Sequence, residues 1–304
     1  MDIKNIKIST RIKEALEKNR PIIALESTLI SHGLPYPENI NVANESIKAV
    51  ENNGSVAATI GIIKGEIIIG LNNNEIEILA TTDNVEKVSL HNIALSLFHK
   101  QNAATTVATT INIASKIGIN FFATGGIGGV HLDSEKNNDI SADLTELSRN
   151  RMFVVSSGAK SILDLEKTFE KLETYGIPRI SYNTDYMPGF WYDETNYSVD
   201  KNFNNIEDIV NYLKLVEELK HNSSVLIFNK VPKNKSIEKK LIEKWIKQSI
   251  KKAKLNLIKG KDLTPFLISE INSLSNNKTL EANKALIINN ALLAGKIAKK
   301  FNSI

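Results

Sequence analysis

A carboxylate follows the first strongly apolar segment of the chain. Residues 21–25 read Pro-Ile-Ile-Ala-Leu, which predicts a buried strand, and Glu26 comes next, ahead of several hydroxyl side chains and His32. In α/β proteins, ligands bind at the carboxyl ends of the strands. Glu26 is therefore a candidate site residue.

Four glycines follow the predicted strand at 119–124, within residues 125–129. Where glycines lack a Cβ atom, backbone N–H groups can approach an anion closely. The dinucleotide-binding fingerprint is not matched, because His131 stands where its third glycine belongs. A tight turn explains the same glycines equally well, so this loop alone assigns no ligand.

A lysine lies at the next predicted strand-to-helix junction, in the segment Ser-Ser-Gly-Ala-Lys-Ser at residues 156–161. The Walker A pattern is absent, because no glycine directly precedes Lys160. We expect Lys160 near a helix start, where the positive end of the helix dipole disfavours an ammonium group. Such a lysine suits Schiff-base chemistry, but taken alone the segment favours an ordinary solvated helix lysine.

Two carboxylates, Asp139 and Asp143, are spaced by four residues around Ser141. On a helix they would share one face and could accept a hard divalent ion. The alternative is a capped helix start with an aspartate as the N-cap, and the spacing does not separate the two.

The elements that must position these residues alternate in type. Apolar runs predict strands at 21–25, 56–63, 66–70, 119–124, 152–157, 178–182 and 224–229. The clearest helices are predicted over 42–52, 103–117, 160–175, 236–254 and 279–301. The alternation predicts an α/β fold whose sheet is covered by helices on both faces. The polar and aromatic segment 189–208 is interpreted as a long surface loop.

Composition excludes several classes of protein. The 304 residues are 42% hydrophobic and 24% charged, a balance typical of a folded globular chain. Cysteine is absent, which excludes disulfides, thiolate metal sites and a cysteine nucleophile. The charged N-terminus predicts neither a signal peptide nor a membrane anchor.

The net charge of +4 is concentrated in one segment. Residues 233–261 contain 11 lysines against two glutamates, so this segment carries +9 and the rest of the chain −5. Apolar residues at helical spacing within it predict a solvated amphipathic helix rather than a nucleic-acid or membrane surface.

Together, these segments resemble the pseudouridine-5′-phosphate glycosidases, also called the indigoidine synthase A-like family. The blocks that carry the resemblance are ALESTLISHGLPYPEN, FFATGGIGGVH, DISADLTEL, SSGAKSILDLEKTFEKLETYGIP and DLTPFLI. They occur in family order from about residue 20 to residue 301. The resemblance implies a single domain over residues 1–304, with a three-layer α/β/α sandwich around a mixed central sheet.

The resemblance also implies a reaction: reversible cleavage of the carbon–carbon glycosidic bond of pseudouridine 5′-phosphate to uracil and ribose 5-phosphate. By resemblance, Lys160 is the nucleophile that forms an imine with ring-opened ribose, and Glu26 is the proton donor. Asp139 would bind manganese, one ion per subunit, with Mg²⁺ or another divalent ion as alternatives. The remaining matches are substrate-binding residues, namely Lys87, Val107, Ser141, Ala142, Asp143 and Asn283.

The same resemblance implies a cytoplasmic homotrimer with a small-molecule substrate, no nucleic-acid partner and a separate pseudouridine kinase acting upstream. One departure concerns the sugar phosphate: after Lys87 the family usually has a Ser-Arg-Arg-Asp type run, whereas residues 89–92 are Ser-Leu-His-Asn. A second departure is Asn229-Lys230, where the family usually has Asn-Pro. A third is the segment before the last helix, which is glycine-rich in the family and reads Ser-Asn-Asn-Lys-Thr-Leu at residues 275–280. The alternatives are a related phosphosugar lyase or condensing enzyme, and an inactive phosphosugar-binding protein.

Overall fold

The computed structural model describes residues 6–132, 134–258 and 263–303. The end of the basic segment 233–261 and Asp262, which opens the DLTPFLI block, lie outside the described residues. Within them the strands are β1 (Ile6–Ile8), β2 (Ile22–Leu25), β3 (Val56–Ile63), β4 (Glu66–Ile69), β5 (Glu86–Val88), β6 (Ala103–Thr105), β7 (Phe121–Ala123), β8 (Phe153–Ser156), β9 (Arg179–Tyr182), β10 (Lys201–Phe203) and β11 (Val225–Asn229).

The helices of the described residues are α1 (Thr10–Glu17), α2 (Glu38–Glu51), α3 (Asn73–Thr81), α4 (Ile93–Phe98), α5 (Val107–Lys116), α6 (Ser134–Asn137), α7 (Ala142–Arg149), α8 (Leu165–Thr174), α9 (Ile206–Glu218), α10 (Lys239–Leu255), α11 (Leu263–Leu274) and α12 (Lys278–Asn302). A π-helical turn spans Leu29–Gly33, and a 3₁₀ turn spans Lys233–Lys235. None of the described helices is long and apolar enough to cross a membrane.

All of these strands join one mixed sheet. Its main path runs β1-β4-β3-β2-β7-β8-β11-β9-β10, with β6 paired to β3 and β5 paired to β6. The strands from β3 to β10 along this path are parallel, while β4 and β6 both lie antiparallel to β3. Because the central strands are parallel, the loops that follow β2, β7 and β8 all leave the sheet at the carboxyl ends of the strands, and we call this the carboxyl-end edge of the sheet.

Alternate residues of the central strands enter separate cores on the two faces of the sheet. In β2, Ile23 and Leu25 pack in the core formed with α2, α9 and α12, whereas Ile22 and Ala24 face the core formed with α1, α5, α7 and α8. Both sets are buried. The predicted three-layer α/β/α architecture with a mixed sheet is therefore confirmed.

The long apolar strands were predicted to within two residues, but three predicted helices begin later than expected: α10 by three residues, α5 by four and α8 by five. Residues 103–105 form β6, and α5 starts at Val107 because the Thr106 side chain caps it, accepting from the Thr109 amide. Similarly, α8 begins at Leu165 because Asp164 caps it, accepting from the Lys167 amide at 3.1 Å. The expectation that Lys160 sits at a helix start is wrong, so the helix dipole does not act on it.

Candidate functional site

A cavity of about 320 Å³ opens at the sheet edge where β2, β7 and β8 end. Its volume is at the lower end of the range for small-molecule sites. Six of the residues predicted from the sequence line it: Glu26, Lys87, Ser141, Asp143, Lys160 and Asn283. Its polar and charged groups are therefore contributed by segments far apart in the chain.

Glu26 follows β2, and two threonine hydroxyls hold its carboxyl group. Thr124, which follows β7, contacts Oε1, and Thr28 lies 2.7 Å from Oε2. Both threonine side chains are buried. The carboxyl group is therefore fixed toward the cavity by the ends of two adjacent strands.

Burial raises the pKa of Glu26, because the charged form loses solvation. The positive charge of Lys160 acts in the opposite direction, as would hydrogen bonds donated by Thr124 and Thr28, whereas the negative charge of Asp143 adds to the rise. The net result is a pKa above the usual glutamate value. A carboxyl group of this kind can store a proton and deliver it to a bound substrate.

Lys160 lies in a loop that interlocks with the glycine-rich loop. The Ser157 amide donates to the Gly125 carbonyl at 2.9 Å, and the Lys160 amide donates to the Ile127 carbonyl at 3.1 Å. Gly158, between them, has φ +87°, and a Cβ atom there would lie 2.2 Å from the Pro188 carbonyl oxygen. Only glycine fits this position, and the resulting turn brings the Lys160 side chain to the cavity.

Asp143 connects two further segments of the site. Its Oδ1 accepts from the Ala108 amide at 2.9 Å, and its Oδ2 accepts from the Gly128 amide at 2.7 Å. A Cβ atom at Gly128 would lie 2.7 Å from that Oδ2 atom, so the approach requires glycine. The buried carboxylate thus holds the glycine-rich loop against the start of α5.

Asp139 and Asp143 do not share a helix face, which corrects that sequence-based alternative. Ser141 is the N-cap of α7, its Oγ accepting from the Asp143 amide at 3.2 Å. Asp143 is in the first turn, whereas Asp139 precedes the helix. The proposal that an aspartate caps the helix is also wrong, because Ser141 takes that position.

Asp139 lies beside His131 rather than in the cavity wall. Its side chain is 42% exposed, and its Oδ2 lies 3.7 Å from His131 Nδ1. Among the described residues, no group of three or more His, Asp or Glu side chains is arranged to hold a metal ion. One exposed carboxylate fits a hard divalent ion that keeps most of its water ligands, and does not fit a closed protein cage.

Lys87, on β5, extends into the cavity from its other side. Although much of its side chain is accessible, the ammonium group is partly desolvated inside the concave site, and this burial lowers its pKa; the charge of Lys160 lowers it further. Asp143 and Glu26 act in the opposite direction. Lys87 also lowers the pKa of His32, for which burial is the larger cause.

Besides Asp139, two predicted site residues do not line the cavity. Val107 is buried in the core at the first position of α5, while its neighbour Thr106 lines the cavity. Ala142 occupies the first position of α7, between Ser141 and Asp143.

The structure adds aromatic residues that sequence interpretation placed on the surface. Phe190 and Trp191, within the supposed surface loop 189–208, are buried and line the cavity. Trp191 Nε1 donates to the lining residue Asn283 through its Oδ1 atom at 2.7 Å, and no hydrogen-bond partner among the described residues is recorded for the Asn283 amino group. A Cβ atom added at Gly126 would lie 2.7 Å from the Phe190 ring. This close contact explains why one of the four positions in the loop requires glycine.

Asn290 was also missed, because a lone asparagine in a chain rich in asparagine carries no signal. It is fully buried on α12. Its amino group donates to the Thr124 carbonyl at 2.8 Å and lies 3.3 Å from the Gly125 carbonyl, while its Oδ1 accepts from Asn229 Nδ2 at 3.0 Å. Ser157 Oγ lies 3.1 Å from the same amino group. One amide therefore joins the loops that follow β7 and β8 to the last residue of β11.

Comparison with known proteins adds a family match over nearly the whole chain. Residues 11–300 match the model of the family described as "Indigoidine synthase A like protein". A curated relative from Staphylococcus aureus, named pseudouridine-5′-phosphate glycosidase, is 44% identical over 301 residues, covering 99% of this chain and 98% of the relative. A relative of the same name from Kosmotoga olearia is 47% identical over 281 residues, covering 92% and 96%.

Solved structures match the same fold. An indigoidine synthase A-like protein from Thermotoga maritima has a TM-score of 0.88 and 34% identity, covering 98% of this chain and 96% of that one. The prealnumycin C-glycosynthase AlnA, solved with ribulose 5-phosphate, has a TM-score of 0.90 and 32% identity, covering 98% and 97%.

Proposed function

Because the chain belongs to the indigoidine synthase A-like family, we propose that it reversibly cleaves the carbon–carbon glycosidic bond of pseudouridine 5′-phosphate, giving uracil and ribose 5-phosphate. The observation that carries the proposal is the pairing of a buried carboxyl group, Glu26, with a lysine, Lys160, in one small cavity. The relatives' names support the substrate, and AlnA with ribulose 5-phosphate supports C-glycoside chemistry on a phosphosugar.

The bond to be broken joins C1′ of the sugar to C5 of uracil. Uracil must therefore leave through a carbon atom, which is harder to protonate than an oxygen or nitrogen atom. In our proposal Lys160 Nζ, as the free amine, bonds to C1′ while the C1′–O4′ bond breaks and O4′ takes a proton. The nitrogen lone pair can then form a C1′=N bond as the C1′–C5 bond breaks. Water hydrolyses this imine, which releases ribose 5-phosphate and the lysine.

Glu26 supplies the proton that makes uracil a leaving group. Protonation at C5 gives a ring that accepts the electron pair of the C1′–C5 bond and so regains its conjugation. The raised pKa of Glu26 favours the protonated form, which is the form that can donate the proton. In the direction of synthesis the same carboxylate removes the proton from C5.

The other lining residues bind and orient the substrate in this proposal. Lys87 contacts the sugar phosphate, and Asn283 presents its amino group to a carbonyl oxygen of uracil. Ser141 and Asp143 form the wall at the start of α7, with Ala142 between them in the chain. Val107 would act only through its position at the start of α5, next to the lining residue Thr106.

A divalent cation is part of the proposal. Asp139 would hold Mn²⁺, or Mg²⁺, with the ion keeping several water ligands. When bound, the ion supplies positive charge that orients phosphate and water. We also propose a homotrimer in the cytoplasm, supplied with its substrate by a separate pseudouridine kinase.

Turnover tests the proposed function directly. With Mn²⁺ present, mixing the protein with uracil and ribose 5-phosphate should lower the ultraviolet absorbance of uracil as pseudouridine 5′-phosphate forms. Absence of turnover would contradict the proposal. Turnover of ribose 5-phosphate with another acceptor, but not with uracil, would support a related condensing enzyme instead.

The roles of the two principal residues are tested separately. Borohydride reduction in the presence of ribose 5-phosphate should attach the sugar to Lys160, as located by peptide mass spectrometry, with Lys160→Ala as the control. An unmodified Lys160 in a protein that turns over would contradict the imine. Attachment without turnover would identify an inactive phosphosugar-binding protein.

Glu26→Ala should retain binding of ribose 5-phosphate but lose about 10²–10⁴-fold in kcat, the usual contribution of a general acid. Steady-state kinetics and calorimetric titration separate these effects. Full activity in this variant would overturn the assignment of the proton donor.

A further inference from the structure

One hydroxyl group in the site lies near two oxygen atoms. Thr28 Oγ1 is 2.7 Å from the backbone carbonyl oxygen of Thr105 and 2.7 Å from Glu26 Oε2. Both distances are those of a normal O–H···O hydrogen bond. Thr28 is buried at the start of the π-helical turn, with its hydroxyl directed at the end of β6.

A hydroxyl group carries a single proton, which decides the direction of both hydrogen bonds. The Thr105 carbonyl oxygen has no proton and can only accept, so Thr28 donates to it. The hydroxyl proton of Thr28 is then no longer available for the contact between Thr28 Oγ1 and Glu26 Oε2. With that proton engaged by the carbonyl, the arrangement that makes both contacts full hydrogen bonds is the one in which Oε2 carries a proton and donates it to Thr28.

We infer that Thr28 accepts a hydrogen bond from the protonated carboxyl group of Glu26, and is a positioning residue that holds the general acid in its loaded form. The inference rests on the proposed function for the role of that acid. It goes beyond it by assigning the direction of the hydrogen bond that keeps the proton in place before substrate binds.

Thr124 provides an internal contrast on the other carboxyl oxygen. Its hydroxyl contacts Glu26 Oε1, and among the described residues no second acceptor is recorded for it. Thr124 therefore donates to the carboxyl group. The two hydroxyls act in opposite directions: Thr28 stabilises the protonated form of Glu26, and Thr124 stabilises the charged form.

The charged groups that face Glu26 are the same in both threonine variants. Lys160, from the loop after β8, and Lys87, from β5, favour the carboxylate, while Asp143, from α7, disfavours it. Burial favours the neutral form. Removing one hydroxyl leaves these charges in place, so the direction of a titration shift reports which way that hydroxyl bonds.

The test titrates Glu26 in the whole protein without substrate. The C=O stretch of the protonated carboxyl group is followed by infrared difference spectroscopy against Glu26→Gln. In Thr28→Val, the midpoint should move to lower pH by about half to one unit, because the neutral form loses its acceptor. In Thr124→Val, it should move to higher pH by a similar amount, and Thr28→Ser should keep the original midpoint.

The pH profile of cleavage should move with the infrared midpoint. An acid must be protonated to act, so activity falls as pH rises through its pKa, and Thr28→Val should lose activity at lower pH than the unmodified protein. An upward or absent shift in Thr28→Val would overturn the inference. If Thr28→Val does not fold, Thr28→Ala removes the same hydroxyl and must give the same downward shift.

The infrared titration also separates this inference from the proposed function. A downward shift in a protein that does not turn over pseudouridine 5′-phosphate would contradict the function and support the hydrogen-bond assignment. Turnover of pseudouridine 5′-phosphate together with an upward shift would support the function and contradict the hydrogen-bond assignment.

Discussion

At the scale of single residues, the site is a small set of mutually perturbing charges. Lys87 and Lys160 share the cavity with Glu26 and Asp143, and the charges of Lys160 and Asp143 act on the pKa values of both Glu26 and Lys87. The charge of Lys160 helps to lower the pKa of Lys87, and the proposed imine needs Lys160 as the free amine. In the proposed function Lys87 must instead remain charged to bind the sugar phosphate.

Binding of the sugar phosphate should therefore weaken as the pH rises. Burial and the charge of Lys160 lower the pKa of Lys87 below the usual value of 10.5, and the affinity for phosphate is lost as pH rises through that lowered pKa. Calorimetric titration with ribitol 5-phosphate, which has no aldehyde and forms no imine, between about pH 7 and pH 10 checks this. Lys87→Gln is the control and should bind weakly without this step; constant affinity of the unmodified protein across the range would contradict the role of Lys87.

Trp191 should influence the recognition of uracil through Asn283. The indole N–H fixes Asn283 Oδ1, so Trp191→Phe frees the amide to rotate. We expect KM for uracil to rise about five- to tenfold, the value of one hydrogen bond, with kcat within about twofold. Trp245→Phe, on α10, is the matched control; an unchanged KM in Trp191→Phe would exclude this positioning role.

At the scale of elements, the site depends on how the loops at one sheet edge are held together. Asn290 joins the loops after β7 and β8 to the end of β11, and Asp143 joins the glycine-rich loop to α5. Neither residue belongs to the loops that it connects. The precision of the site is therefore set by side chains from α7 and α12.

Asn290→Leu should destabilise the protein because it removes the donor to the carbonyl of Thr124 and the nearer of the two acceptors of Asn229 Nδ2. The expected loss in the free energy of unfolding is about 2–3 kcal/mol, measured by urea denaturation. Lys296→Ala, at an exposed position of the same helix, is the control and should change it by less than about 0.5 kcal/mol. A similarly small effect of Asn290→Leu would show that the amide is not a structural link.

Elements with a strong apolar pattern were predictable from the sequence. Short polar strands and helix starts that depend on a capping side chain were not. β2 and β3 are continuous apolar runs, whereas β5 is only three residues long and contains Glu86 and Lys87. The helix after Lys160 begins late because Asp164 offers a better cap, which periodicity does not reveal.

The same limit applies to the candidate site. Glu26 was predictable because a strand end lies where α/β proteins bind ligands, and the motif resemblance added Lys160 and Asn283. The burial of Trp191 was not predictable, because its neighbours in sequence are polar and only the tertiary contact with Asn283 brings it inside.

At the scale of the whole molecule, the described part of the lysine-rich segment that gives the chain its positive charge does not line the cavity. The basic segment lies largely on α10, where most lysines are exposed and Ile242 and Ala253 face the core. This agrees with the predicted amphipathic helix. The cavity has both signs of charge and is lined by aromatic side chains, which suits a phosphorylated small molecule.

The proposed homotrimer predicts a solution mass of three times the 33.7 kDa chain. Exposed apolar side chains on α4, with Phe98 79% and Leu95 58% accessible, are a surface that assembly could cover. Sedimentation equilibrium measures this mass directly. A single species at the mass of one chain, at micromolar concentration, would contradict the trimer.

The position of Trp191 gives the protein a built-in optical probe. Only two tryptophans occur in the chain, and one of them lies in the wall of the cavity while the other lies on α10. In Trp245→Phe, all indole fluorescence would arise from the wall of the site. Changes in its emission would then follow the filling and emptying of the cavity in real time, without a label or a coupled assay.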